Sequence, residues 1–97
     1  MLLSPAILSA RRRDDLICHE LGKEAVVYDD ASNTLYSLNE TSYFVWRRWG
    51  VTPEIEAVTR QLTEVFDVSE DHARADVRKT IAQMLENGLL EPAADRP

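Results

Sequence analysis

The side chains with the greatest potential for catalysis are one cysteine and two histidines. Cys18 and His19, a nucleophile and a base, are adjacent in a run that predicts a β-strand. Consecutive side chains of a strand point to opposite faces, so these two do not act together as nucleophile and base. His72 follows Glu70 and Asp71, and no metal-ligand spacing connects it with His19. We interpret Cys18 as a structural residue and His72 as a solvated one.

Adjacent carboxylates, which could serve as a general acid and base, occur three times. Asp14-Asp15, Asp29-Asp30 and Glu70-Asp71 fall in predicted loops or at the predicted start of a helix. Turn formation and compensation of the helix dipole explain these positions without catalysis. The sequence contains no glycine-rich phosphate loop and no Gly-x-Ser-x-Gly motif. We therefore predict that the protein is not an enzyme and needs no cofactor and no metal.

The formal net charge is -6, and the acidic residues are spread along the chain. Such a charge repels duplex nucleic acid unless one face of the protein is strongly basic. The two basic clusters are Arg11-Arg12-Arg13, which Asp14-Asp15 follow directly, and Arg47-Arg48, which lie between two tryptophans. We interpret both as solvated charge whose stems cover apolar surface, and we expect no nucleic-acid partner.

The chain of 97 residues, 44% of them hydrophobic, is long enough for one domain with a modest core. Any ligand is therefore expected on the surface or in a shallow groove. A single cysteine forms no internal disulfide and no thiolate metal site, which suits a reducing cytoplasm. The apolar residues 1–8 precede the arginines, and Pro5 interrupts them, so they match neither a signal peptide nor a membrane span. We expect a cytoplasmic protein with no membrane partner.

Three short β-strands are predicted in the first half of the chain, at residues 16–20, 25–28 and 34–38. Gly22-Lys23 would turn the first hairpin, and the polar residues 29–33 would turn the second. Tyr36 and Leu38 share one face of the third strand. The strands are expected to form an antiparallel sheet in chain order. Its third strand would have a free edge unless the N-terminal segment covers it.

Three helices are predicted after the strands. Asn39 is a good N-cap of the first, which Gly50 ends. Thr52 and Pro53 provide a cap and a first helical position for the second helix, and Ser69 caps the third. The third helix has a buried stripe and ends at Asn87-Gly88, after which two leucines pack back on the core. That stripe consists of Ala73, Val77, Ile81, Met84 and Leu85.

Strands followed by three helices predict an α+β domain that resembles a winged helix-turn-helix, with an N-terminal three-stranded antiparallel sheet. In that arrangement a strand edge and the last helix can border one groove. Residues 34–38 contain no proline, lysine or other charge that would block pairing along the edge. A free edge is a template for an added peptide strand. The open alternative is that the N-terminal segment hides the edge.

The chain resembles the PqqD family over roughly residues 16–91. The specific likeness lies in Leu38-Asn39-Glu40-Thr41 and in Asn87-Gly88-Leu89, and the runs 26–29, 35–37, 45–46 and 76–81 add to it. Members of this family recognise the leaders of ribosomally made, post-translationally modified peptides. The resemblance implies a leader that docks as an added strand beside the third strand, in a groove against the third helix.

Carried over by position, the resemblance assigns the site to two groups of residues. Backbone pairing would come from Thr34, Leu35, Tyr36, Ser37 and Leu38. The facing helix wall would consist of Arg74, Val77, Arg78 and Ile81, whose arginines could meet leader carboxylates. Val77 and Ile81 also belong to the predicted core stripe.

The hairpin is most similar to stand-alone proteins of lasso-peptide gene clusters. That likeness implies three partners: a precursor leader peptide, a separate cysteine protease that removes it, and an ATP-dependent cyclase. It also divides the chain into a recognition domain at residues 14–91 and a C-terminal tail at residues 92–97. Residues 1–13 would be a tail, a covering segment or a contact for the protease.

Two other functions fit parts of the pattern. A winged-helix regulator would place its third helix in the major groove of DNA. Residues 69–87, however, hold four acidic and three basic residues, a net charge of -1, where a recognition helix is ordinarily basic. An enzyme subunit with a loop-borne site is the third possibility, and no constellation of residues supports it.

Overall fold

The computed structural model describes residues 10–92, which form five strands and three helices. The strands are β1 (Ala10–Arg12), β2 (Ile17–Leu21), β3 (Glu24–Asp29), β4 (Thr34–Leu38) and β5 (Leu90–Pro92). The helices are α1 (Glu40–Val51), α2 (Ile55–Val65) and α3 (Glu70–Asn87). The predicted α+β class, with a three-stranded antiparallel sheet followed by three helices, is confirmed.

The main sheet has the strand order β2-β3-β4, with both neighbouring pairs antiparallel. The turn between β2 and β3 has two residues, and Gly22 adopts the positive φ of 67° that its first position requires. Asn33, with φ 54°, ends the longer turn before β4. The meander is therefore as predicted, and it leaves β4 at an edge of the sheet.

A second, two-stranded sheet pairs β1 with β5, and the sequence did not predict it. Ala10 lies opposite Pro92 and Arg12 opposite Leu90 in this ladder. Ala10 is 2% exposed, so this part of the predicted N-terminal tail belongs to the packed domain. The described part of the N-terminal segment pairs with β5 and not with β4. The remainder of that segment, residues 1–9, and residues 93–97 lie outside the described residues.

The helix ends follow local capping chemistry, with one exception. The Asn39 side-chain oxygen accepts from Ser42 N at 2.9 Å at the start of α1, and Ser69 Oγ accepts from His72 N at 3.2 Å at the start of α3. The predicted cap at Thr52 and the predicted first helical position at Pro53 are wrong, and α1 ends at Val51, one residue after the predicted Gly50. The Thr52 backbone N–H donates to Arg48 O at 2.8 Å, so this residue caps the end of α1, and α2 begins three residues later at Ile55.

The core lies between the inner face of the main sheet and the three helices. Val27, Val45, Val58, Val77 and Ile81 are all 0% exposed, and the predicted stripe of α3 is buried apart from the half-buried Leu85. Burial of such a side chain stabilises the fold by about 1.5–3 kcal/mol. The two leucines after α3 are also buried, as predicted. The stripe of α3 is thus a structural surface, and the helix packs against α2, α1 and β5.

Candidate functional site

The outer edge of β4 carries backbone groups without a partner strand within residues 10–92. Leu21 on β2 and Glu24 on β3 flank a two-residue turn, so they form a hydrogen-bonded pair. Along the rest of the ladder, hydrogen-bonded pairs alternate with pairs that are not hydrogen-bonded. The same alternation directs the backbone of Val27 toward Tyr36 on β4. The residues on either side of Tyr36 therefore direct their N–H and C=O groups away from the sheet.

Those two residues, Leu35 and Ser37, define the part of the edge that can accept a new strand. Both are exposed, Leu35 to 63%. No charged side chain or proline lies within β4 to obstruct an approaching chain. The free edge expected from the sequence is thus present in the described part of the molecule.

A groove runs between β4 and the adjacent side of α3. Its deeper part is an open cavity of about 170 Å³ with an apolar floor formed by Leu38, Met84 and Leu89. Polar side chains of Ser42, Thr80 and Gln83 border the same cavity. The Tyr36 hydroxyl donates to the backbone oxygen of Asn87 at 2.7 Å and links the two walls. The inner face of β4 and the C-terminal half of α3 therefore border an open cavity of about 170 Å³.

The groove continues past the end of β4 to the first turn of α1. This second part has a volume of about 380 Å³ and is mainly polar. It shares Ser42, Thr80 and Gln83 with the first part, and Asp76 and Lys79 of α3 border its far side. The α3 side that faces the groove thus carries residues 76, 80, 83 and 87, which recur at helical spacing.

The predicted helix wall does not lie on that side of α3. Val77 and Ile81 are completely buried, so neither offers surface to a ligand in this structure. Arg74 donates to both carboxylate oxygens of Glu56 on α2 at 2.9 Å. Arg78 is half-buried, and its charge also acts on Glu56. The arginines are therefore drawn toward α2, and the structure brings β4 together with a different side of α3.

Arg74 forms an ion-pair cluster that joins the two last helices. Besides Glu56 it contacts Glu70 at 2.7 Å and Asp71 at 3.3 Å, one turn earlier on α3. The hydrogen bonds from Arg74 lower the pKa of Glu56 and raise the pKa of the guanidinium. This arginine has three carboxylate partners within the chain, which accounts for its position better than a role in the groove.

A second ion-pair cluster fixes the C-terminal end of α3 relative to the sheet. Arg13 contacts Asp29, the 5% exposed last residue of β3, at 2.9 Å and donates to the Gly88 backbone oxygen at the same distance. It also contacts Asp15 at 2.6 Å. These hydrogen bonds lower the pKa of both Asp29 and Asp15. Since Gly88 follows α3 directly, the cluster holds the end of the helix that closes the groove.

The described residues contain no arrangement typical of a metal site or of nucleophilic catalysis. Cys18 is half-buried and His19 is exposed, as expected for neighbours on opposite faces of β2. Among residues 10–92, no three His, Cys, Asp or Glu side chains are grouped so that they could hold a metal ion. The described helices include none long and apolar enough to cross a membrane.

An open strand edge beside the longest helix of a small α+β domain is thus the main feature of the site. The family model of Coenzyme PQQ synthesis protein D (PqqD) matches residues 24–90 of this chain. The chain belongs to the PqqD family, which confirms the resemblance seen in the sequence.

Two solved structures share the fold. One, described as lasso peptide synthetase B1 complexed with the leader peptide, is 23% identical, with a TM-score of 0.77; the match covers 87% of this chain and 99% of that one. The other, TbiB1 in complex with the TbiA(beta) leader peptide, is 18% identical, with a TM-score of 0.78; that match covers 88% and 99%. A comparison with curated proteins gave no match. At these identities the two structures establish a common fold.

Proposed function

We propose that this protein binds the leader region of a ribosomally made precursor peptide, without catalysing a reaction, and presents it to a separate cysteine protease and an ATP-dependent cyclase of lasso-peptide type. The observation that carries this proposal is the unpaired backbone of Leu35 and Ser37 beside the groove of α3. Membership of the PqqD family and the leader peptides bound to two proteins of the same fold support it.

Strand addition explains how such an edge would recognise a peptide. An extended leader would exchange hydrogen bonds with both backbone groups of Leu35 and Ser37. Alternate leader side chains would point toward α3, and one could enter the 170 Å³ cavity above Leu38 and Met84. The other side chains would lie on the outer face of the sheet, next to the exposed Leu35. Backbone pairing would supply affinity, and the cavity would supply selectivity.

The helix wall of this proposal is the groove side of α3. Thr80 and Gln83 border both parts of the groove, and Lys79 provides a cation at its polar end. Lys79 replaces the two predicted arginines as the basic group that could meet a leader carboxylate. Thr34 to Leu38 retain their proposed role as the pairing strand.

A direct test is a titration of the purified protein with the leader of the precursor encoded beside its gene. We expect saturable binding of the leader and no binding of a duplex DNA control at the same ionic strength. DNA binding that weakens steeply with salt, in the absence of leader binding, would instead identify a winged-helix regulator. Addition of the neighbouring protease and cyclase then tests presentation: leader removal should be faster with this protein than without it.

A further inference from the structure

Three consecutive arginines, two at the end of β1 and one directly after it, have different environments. Arg11 pairs with Glu91 at 2.8 Å, and Arg13 pairs with Asp15 and Asp29. Arg12, by contrast, makes no ion pair with any residue in the range 10–92. Its guanidinium carbon lies 3.8 Å from the centroid of the Trp46 ring. Within the described residues, the half-buried Arg12 thus places its guanidinium over an indole ring without a carboxylate partner.

Gly50 creates the space that Arg12 occupies. A Cβ at this position would lie 2.5 Å from Nη1 and 2.6 Å from Cδ of Arg12, too close for either atom to remain. Trp46 supports one face of the guanidinium, and the bare backbone of Gly50 supports its stem. The position of the cation is therefore set before any ligand arrives, which reduces the entropy lost on binding.

Arg12 borders an open, mainly polar cleft of about 480 Å³. The three arginines, Asp14, Trp49 and Pro53 contribute to its walls. Three cations and one anion meet there, although the whole chain has a net charge of -6. None of these residues borders the groove between β4 and α3. Since Arg11 and Arg13 are paired with carboxylates, the cleft is a separate site with Arg12 as its one unpaired cation among the described residues.

We propose that this cleft binds a single carboxylate, of the kind that an acidic side chain of a partner protein supplies. One guanidinium without a carboxylate partner among the described residues matches one negative charge, and its planar edge can donate two parallel hydrogen bonds to a carboxylate. A phosphate dianion would bring a second charge for which the described lining of the cleft offers no second unpaired cation, and Asp14 would oppose it. This site does not depend on peptide binding at β4.

The test is an NMR titration of the whole protein that follows the indole N–H signals of Trp46 and Trp49. The probe is the peptide acetyl-Ala-Glu-Ala-amide, and its glutamine counterpart is the neutral control. We expect saturable shifts with the glutamate peptide alone, with a dissociation constant on the order of millimolar for a carboxylate that receives two charge-assisted hydrogen bonds from Arg12. Equal shifts with both peptides would overturn the proposal, as would tighter binding of inorganic phosphate at equal ionic strength.

Three variants locate the binding at Arg12. Arg12→Gln should weaken the glutamate peptide about tenfold or more. Arg48→Gln removes the same charge from α1 outside the cleft and should leave binding unchanged. Gly50→Ala changes no charge but displaces Arg12, so it should weaken binding several-fold. If Arg12→Gln fails to fold, this variant decides whether Arg12 binds the carboxylate. Wild-type affinity of Gly50→Ala and Arg12→Gln, when both are folded, would refute the site.

Discussion

The Tyr36 hydroxyl on β4 donates a hydrogen bond to the Asn87 backbone oxygen at the last residue of α3, at 2.7 Å. The last four carbonyls of a helix have no acceptor role inside it, so this oxygen is free to accept a bond from outside. The two residues are 51 positions apart in the sequence. One side-chain contact therefore sets the distance between the two walls of the groove at its closed end.

Replacement of Tyr36 by phenylalanine tests this contact. The ring remains on the inner face of β4, but the bond to Asn87 is lost, so the free energy of unfolding should fall by about 0.5–1 kcal/mol. Leader affinity should fall a few-fold, because the walls are less well fixed. Chemical denaturation and leader titration measure the two effects. Unchanged leader affinity together with the stability loss would show that the contact is purely structural.

Replacement of Ser37 by proline tests strand addition on β4. Proline removes the N–H that faces away from the sheet, while the β3–β4 bonds of Tyr36 and Leu38 remain. We expect leader affinity to fall about tenfold or more with the helical circular dichroism retained. Ser37→Ala is the matched control, since it keeps the N–H and should bind almost normally. Wild-type affinity of the proline variant would place the leader elsewhere.

Two arginine substitutions on α3 test which side of the helix faces the leader. Gln83→Arg places a large charged side chain in the groove and should reduce leader affinity about tenfold or more, because the cavity beside it holds only about 170 Å³. Ala82→Arg adds the same side chain to an exposed position one residue away and should leave binding unchanged. Leader titrations of both folded variants provide the measurement. If Ala82→Arg weakened leader binding and Gln83→Arg did not, the leader would contact another side of α3.

Truncation of Ile81 tests its assignment to the core. This side chain is 0% exposed, so Ile81→Ala should lower the free energy of unfolding by about 2–5 kcal/mol. Thr80→Ala, at the neighbouring half-buried position, should cost much less. Urea denaturation of both variants is the measurement. A small effect of Ile81→Ala would mean that this position contributes to a surface and not to packing.

The Arg13–Asp29 pair predicts a pH dependence of stability. Its hydrogen bonds lower the pKa of Asp29 in the folded state, so its contribution is complete above the unfolded pKa of about 3.9 and is lost as the pH falls through the folded value. Thermal melts between pH 2 and 7 should show stability falling below about pH 4. Asp29→Asn should be less stable at pH 7 and less sensitive to acid.

The control for this experiment is Asp30→Asn, which removes an exposed carboxylate next to the pair and leaves Arg13 untouched. It should retain the acid sensitivity of the wild type. If Asp29→Asn followed the wild-type curve at every pH, the pair with Arg13 would not contribute to acid stability.

Local signals in the sequence predicted most of the fold. Alternation in residues 34–38 and the caps at Asn39 and Ser69 act within a few residues, and the structure confirms them. The prediction that Thr52 caps the second helix was wrong because a threonine before proline can end one helix as well as begin the next. The β1–β5 ladder was missed because three-residue strands have no recognisable period and these two are separated by most of the chain.

The candidate site was harder to predict than the fold. The apolar stripe through Val77 and Ile81 correctly identified the buried side of α3. It did not identify which polar side would meet β4, since each residue rotates the helix face by about 100°. Glu56 on α2 pairs with Arg74, and such a contact between helices leaves no periodic signal. The recurrence of polar residues at positions 76, 80, 83 and 87 was the sequence signal that could have identified the groove side of α3.

The pairing of Ala10 with Pro92 brings the two ends of the domain side by side. A unit whose entry and exit points coincide fits into a surface loop of another protein without stretching either chain. The domain could thus be transplanted into a host enzyme as a compact insert, or its ends could be joined and new ones opened at an exposed turn such as residues 30–33. The β1–β5 ladder, which was not predicted from the sequence, therefore makes the domain suitable for transfer into another protein.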